Sequence, residues 1–385
     1  MSTPERVIWR RRLVALAILL GLFAGVAVAA SDDDRQRLRT ASDGPRAAAA
    51  ARPPLAPARQ KSSGATGELQ PGSDPSVLPG PVLIADRDNN RLVEVSPQGQ
   101  VLWRFPDRGG LARGQSFQVP DDAFFSPDGR SVIATQEDDE VISVIDLAGS
   151  RIVYRYGHPG EPGVEPGYVH NPDDALLTSS GEILTADIMN CRLLVIRPPR
   201  HRPLRQLGST GNCEHRPGVS FGSPNGAFPM AGGGTVVTEI NGNWVDVLSA
   251  GGRHLLSTHP PAFSYPSDTN EVRPGLLLSA DYASPGAIET FTTGGRLQWR
   301  YAPSGSAALD HPSLALPLPN GDVLANDDRN HRVIVVDPHT NRVVWQYGHT
   351  GVPGSREGYL NNPDGVDLAP PYSLATRFAA TLRAP

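Results

Sequence analysis

HPSLALPLPNGDVLANDDRNHRVIVVDPHTNRVVWQYG, from His311 to Gly348, reads as four short strands in succession. HPSLALPL opens the unit, and GDVLAND (Gly321–Asp327), RVIVVD (Arg332–Asp337) and RVVWQYG (Arg342–Gly348) follow, each rich in β-branched residues. Asn320-Gly321 and Pro338-His339-Thr340-Asn341 supply the turns. Five more segments begin on a comparable step before proline: VPDDAFFS at Val119, NPDDALLT at Asn171, SPNGAFPM at Ser223, YPSDTNEV at Tyr265 and NPDGVDLA at Asn362. The six prolines, Pro120, Pro172, Pro224, Pro266, Pro312 and Pro363, stand 42 to 52 residues apart. That spacing suits one four-stranded propeller blade.

The ends of the array complement each other. The first strands, from Val82, Arg91 and Val101, lack an opening strand before them, whereas NPDGVDLA has no strands after it. Slotting the last segment into the first blade closes the ring and removes the edges an open array would expose. The predicted fold is therefore all-β: a six-bladed β-propeller over residues 80–370, closed by strands from both ends of the domain, with a tail at 371–385.

Composition agrees with many short strands and turns, with 40 glycines, 38 prolines and only 19% charged residues. A net charge of −5 gives no electrostatic reason to expect a nucleic-acid partner. Ahead of the array, Arg10-Arg11-Arg12 precedes an apolar run over 13–30. The run reads as a membrane-spanning signal anchor, or as a signal peptide cleaved after Ala27-Val28-Ala29; either places the propeller outside the cytoplasm, membrane-anchored or secreted. Residues 31–79, rich in Ala, Pro, Ser and Gly, read as a disordered spacer. In an exported chain the two cysteines, Cys191 and Cys213, are expected to form a disulfide. It would close a loop of about 20 residues and contribute ~3 kcal/mol.

Asp86/Asn89/Arg91, Asp187/Asn190/Arg192 and Asp327/Asn330/Arg332 share an Asp-x-x-Asn-x-Arg pattern, and Trp103, Trp299 and Trp345 fall in fourth strands. With these features residues 80–370 resemble the NHL-repeat and quinoprotein-like propeller families. The resemblance implies fold rather than chemistry, and six blades instead of eight count against bound pyrroloquinoline quinone.

The two faces of the ring differ. One carries tight hairpins such as Ser126-Pro127-Asp128-Gly129; the other carries the Asp-x-x-Asn-x-Arg turns and the long crossovers. Two crossovers, Tyr156–Asp174 and Tyr347–Gly365, match closely and place His158 and His349 equivalently. Loops carry binding chemistry more often than scaffold strands, so this face is the expected site. The residues after the repeat prolines, Asp121, Asp173, Asn225, Ser267, Ser313 and Asp364, should approach the channel there, with Asp122, Asp174 and Asp268 beside them. Such a mouth would be acidic. A hard cation such as calcium suits it, with Asp121, Asp173 and Asp364 as candidate ligands; alternatively the carboxylates cap their own turns or pair with Arg91, Arg192 and Arg332.

The expected function is a membrane-tethered module binding an extracytoplasmic ligand or protein. Two enzymatic alternatives remain. His170 and His311 each lie just before a repeat proline, and the run from His311 resembles the bacterial arylsulfotransferases, which implies one of these histidines as the nucleophile. An acidic mouth opposes the anionic substrate of that reaction. The other alternative is a lyase or lactone hydrolase built on a central metal. Nucleophile elbows, phosphate-binding loops and dinucleotide fingerprints are absent from the sequence.

Overall fold

The computed structural model describes residues 68–377; the apolar run over 13–30, most of the expected spacer and the end of the tail lie outside the described residues. Among the described residues, 24 strands form six antiparallel sheets of four. Blade one holds β1 (Val82–Asp86), β2 (Arg91–Val95) and β3 (Val101–Phe105). Blade two is β4 (Ala123–Phe125), β5 (Ser131–Gln136), β6 (Val141–Asp146) and β7 (Arg151–Gly157). Blade three is β8 (Pro172–Leu177), β9 (Ile183–Asp187), β10 (Arg192–Ile196) and β11 (Arg205–Gly208). Blade four is β12 (Pro224–Pro229), β13 (Thr235–Glu239), β14 (Trp244–Leu248) and β15 (His254–Thr258). Blade five is β16 (Pro266–Arg273), β17 (Leu276–Asp281), β18 (Ala287–Thr292) and β19 (Leu297–Tyr301). Blade six is β20 (Ala315–Pro317), β21 (Val323–Asp327), β22 (Arg332–Asp337) and β23 (Arg342–Gly348), and β24 (Pro363–Leu368) returns to blade one.

The ring closes as the repeat count requires. β24 pairs antiparallel with β1, with Val82 opposite Leu368 and Ile84 opposite Val366, giving the order β24-β1-β2-β3. The middle strands alternate little, because both faces of each sheet press on a neighbouring blade: β1 is buried throughout, and so are the last five residues of β5. Outer strands are half exposed, as Arg151–Gly157 illustrates. Fourth-strand tryptophans tie adjacent blades. Trp103 donates to Ser150 Oγ (2.9 Å), Trp299 to Asn341 Oδ1 (2.8 Å) and Trp345 to the Pro97 carbonyl (2.8 Å), each acceptor lying in a hairpin of the next blade.

The last part of the segment read as a spacer is structured. Leu69 bridges Tyr347, and the Asp74 amide donates to the Val344 carbonyl (2.8 Å), so this stretch lines the outer strand of blade six. Beyond β24 a helical turn, Leu374–Arg377, buries Leu374 and Ala375.

Closure depends on dry packing between β24 and β1, where Val366 is fully buried. Val366→Asp is expected to lower stability by ~3–5 kcal/mol, read from the urea midpoint. Val153→Asp, on a half-exposed outer strand, is expected to change it by no more than about 0.5 kcal/mol.

Candidate cation-binding channel mouth

A carboxylate ends the second strand of every blade except blade two, where Gln136 stands, and it pins the incoming crossover. Asp86 accepts the Asn361 amide, Asp187 that of His170 and Asp327 that of Asp310, each at 2.7 Å. Asp281 takes the Tyr265 amide (2.8 Å), and Glu239 takes that of Gly222. The Asn and Arg of the repeated turn serve this pin. Arg91 holds Asp86 at 2.6 Å, Arg192 holds Asp187 at 2.7 Å and Arg332 holds Asp327 at 2.7 Å, with Asn89, Asn190 and Asn330 on the same carboxylates. Burial pushes these three aspartates up and the arginines pull them back. Arg91, Arg192 and Arg332, expected as possible partners of the channel carboxylates, are thus bound within their own turns.

The chain then turns sharply. Val119, Asn171, Ser223, His311 and Asn362, each directly before a repeat proline, have φ between 42° and 58°. Several of their amides reach back to the preceding blade: Val119 to Asn90 Oδ1 (2.8 Å), Asn171 to Glu140 Oε2 (2.6 Å) and Asn362 to His331 Nδ1 (3.0 Å). His311 is therefore the counterpart of Asn171, and His170 that of Asp310.

Immediately after the prolines the inner strands bulge. Between Pro172 and Ala175 two residues face one on β9, and the same occurs between Pro266 and Thr269 on β17 and between Pro363 and Val366 on β1. A bulge re-aims side chains that a regular strand would send to opposite faces. Consequently Asp173 and Asp174 both join Asp122 and Asp268, with one oxygen of each of the four within 4.8 Å of the others. Gly226 and Gly365 make room for them. A Cβ on Gly226 would lie 2.3 Å from Asp268 Oδ1, and one on Gly365 would lie 2.3 Å from Asp122 Oδ1. Beneath the carboxylates Phe124 and Phe228, from blades two and four, meet edge to face at 5.7 Å across the axis and are fully buried.

Electrostatically this is a costly arrangement. Asp122, Asp174 and Asp268 are at most 4% exposed, and Oδ1 of each lacks a hydrogen-bond partner. Burial first, then the neighbouring aspartates, push all three carboxyls well above their usual range. Nearer the opening, Arg87 from the first Asp-x-x-Asn-x-Arg turn contacts Asp121, Glu137 (3.0 Å), Asp138 (2.8 Å) and Asp364 (3.3 Å). Asn225 bridges Asp173 (2.8 Å) and Ser267 Oγ (3.2 Å), while Ser313 Oγ donates to the Asp364 carbonyl (2.7 Å). The outer layer carries its own cation, Arg87. The inner layer presents oxygen ligands only, the donor set that a hard cation such as calcium prefers.

Asp122, Asp173, Asp174 and Asp268 gather in the channel, whereas His158, His311 and His349 contact other groups. His158 and His349 stack on Tyr168 (4.1 Å) and Tyr359 (3.9 Å) in the matched crossovers. His311 Nδ1 meets Asp310 Oδ1 at 2.5 Å, and its ring lies edge-on to Tyr282. Cys191 and Cys213 form the expected disulfide on the loop-rich face, with 5.1 Å between their Cα atoms. Arg87, Glu137, Asp138 and Asp328 escaped the sequence reading because they occupy variable places of the turns. The residue after the pin is Arg87, Ile188 or Asp328 in the three matching turns, and burial together with Asp364 pushes Asp328 well up.

No family model matches the chain, and no curated protein does. Among solved structures it is similar to a protein of unknown function from Bacteroides caccae, with 14% identity, 75% of this chain and 98% of that one covered, and a TM-score of 0.53. It is also similar to a chain of a nidogen/laminin complex, at 15% identity, 75% and 98% coverage and a TM-score of 0.51. A streptogramin B lyase aligns at 16% identity over 64% of this chain and 72% of that one, with a TM-score of 0.46. These likenesses concern the propeller fold alone.

The carboxylate cluster has a pH signature. Folded carboxyls raised above the unfolded value of about 3.9 bind protons more tightly in the native state, so their stabilising contribution is complete below that pH and is lost as pH rises through the raised values. Thermal melts of metal-stripped protein should therefore show stability from this cluster falling as pH climbs above about 4. Asp268→Asn should flatten that dependence.

Proposed function

We propose that this chain is an extracytoplasmic binding module, held at the membrane through residues 13–30, whose channel mouth binds a divalent cation and presents the loop-rich face to a ligand or protein. The observation that carries the reading is the convergence of Asp122, Asp173, Asp174 and Asp268, three of them with a buried orphaned oxygen, on that face. A buried carboxylate without compensation costs several kcal/mol, and a hard cation offsets that cost for all four at once. Asp121 and Asp364, already joined to Arg87, would frame the entrance rather than ligate.

A second feature favours a macromolecular ligand. Val164, Met189, Val219 and Val352, 46–58% exposed, all lie in turns and crossovers of the same face. Apolar side chains exposed beside a charged opening suit a protein surface with a polar rim. Sulfuryl transfer is less well supported: a transferred anion needs cationic groups around it, and Arg87 at the mouth is bound by four carboxylates.

The test uses the full chain purified in detergent and stripped of metal. Calcium should raise its melting temperature, by the equivalent of ~2.7 kcal/mol once the free ion reaches about 100 times the dissociation constant. Asp268→Asn should melt no lower than the parent in the absence of metal, since it removes a repelling charge, and should lose the calcium response. A parent protein that binds no calcium by calorimetry would overturn the reading.

A further inference from the structure

Blade four departs from the pattern that neutralises the pins elsewhere. Asp86, Asp187 and Asp327 each face an arginine five residues on, but the residue five after Glu239 is Trp244. The vacated position is filled from the long crossover by His215, whose ring lies flat on Trp244 (4.2 Å between centroids, 9° between planes) with Nδ1 3.1 Å from both Glu239 oxygens.

A further carboxylate lies behind this pair. Asp246 stands where other third strands carry Val93, Leu194 or Ile334, judged by their pairing with Ile84, Thr185, Val237 and Ala325. Blade five also has an acid there, Glu289, and Arg300 on the adjoining strand pairs with it. The residue opposite Asp246 on β15 is Ser257, which has no charge to offer. Asp246 is fully buried, and its neutral hydrogen-bonding neighbour is that Ser257 hydroxyl, which also meets His254 Nε2 at 2.9 Å. Its Oδ1 faces two imidazoles, His215 Nδ1 at 3.9 Å and His254 Nε2 at 3.7 Å.

We propose that His215, Glu239 and Asp246, whose donor atoms lie within 4.8 Å of one another, form a second metal site that takes a divalent ion of the zinc class, with water completing the shell. Donors ligating one such ion at about 2.0–2.2 Å lie roughly 3–3.5 Å from one another in a tetrahedral shell; the 3.1 Å between His215 Nδ1 and Glu239 is in that range, and the 3.9 Å to Asp246 Oδ1 would shorten on binding. The imidazole donor selects against calcium and for zinc or its late first-row neighbours such as cobalt and nickel. Two buried carboxylates beside neutral imidazoles carry two uncompensated negative charges, which a divalent ion balances. The loop is also built to hold His215 in place. Cys213, two residues earlier, is bonded to Cys191 of blade three, and the Cys213 carbonyl accepts Asn241 Nδ2 at 3.1 Å. Trp244 fixes the ring plane.

The test is a Co²⁺ titration of the metal-stripped full chain in detergent, read by visible ligand-field absorption and paired with Zn²⁺ competition. One equivalent of Co²⁺ should bind with a tetrahedral-type spectrum and be displaced by Zn²⁺. Asp246→Asn keeps the side chain's shape and removes a buried charge, so it should fold; affinity should fall ~10-fold or more. Asp268→Asn, in the channel mouth, should leave the titration unchanged and so separates the two sites. Absence of the tetrahedral band in the parent, or an Asp246→Asn titration matching the parent's, would overturn the proposal.

Discussion

A buried carboxylate at the end of the second strand organises five of the six repeats. It faces inward where the chain must jump from one blade to the next, and it captures a backbone amide two residues before the repeat proline, or also the next amide in blade five. Charge-assisted bonds of this kind are stronger than neutral ones, and here a single group fixes both the exit turn of one strand and the entry of another. In blades three and one the left-handed residue before the proline and the bulge after it accompany this anchoring. What reaches the channel is thus set by where the crossover is held.

This arrangement explains how a repetitive scaffold carries an asymmetric interior. Residues that make a blade are spent on hydrogen bonds inside it, as with Asp187, Asn190 and Arg192. Variation collects at the places that the scaffold leaves unconstrained: the residue after the pin, the second residue after the proline, and the third strand opposite the pin. At the first of these stand Arg87, Ile188 and Asp328; at the second, Asp122, Asp174, Gly226, Asp268, Leu314 and Gly365. Gly226 and Gly365 each stand beside an acid in the ring, which gives the acids volume as well as proximity.

The fold was legible because its period is written in prolines and turns. The closing strand could be identified by counting, and the third and fourth strands of the last blade, Arg332–Asp337 and Arg342–Gly348, stand as expected. The channel aspartates were visible for the same reason. Contacts made across blades were less so. Nothing in the spacing of Arg87 relates it to Asp121 or Glu137, because their proximity depends on ring curvature. The bulges were hidden too, since Asp173-Asp174 reads as two alternating residues until the register is known. The guanidinium roles of Arg91, Arg192 and Arg332 were ambiguous because a motif lists residues without saying which carboxylate each one meets.

Closing the ring with β24 also imposes an order in time. Val82 and its partner Leu368 are 286 residues apart, so blade one cannot be completed until nearly the whole domain has been made. Until then β1 keeps one unpaired backbone edge and the opening strands lie without their inner neighbour, the condition in which strands pair with the wrong chain. Contacts of such separation form slowly. The last strand to emerge is therefore the one on which the first three wait, and the vulnerable interval in this protein's life falls before maturity, between synthesis of its first blade and arrival of its final segment.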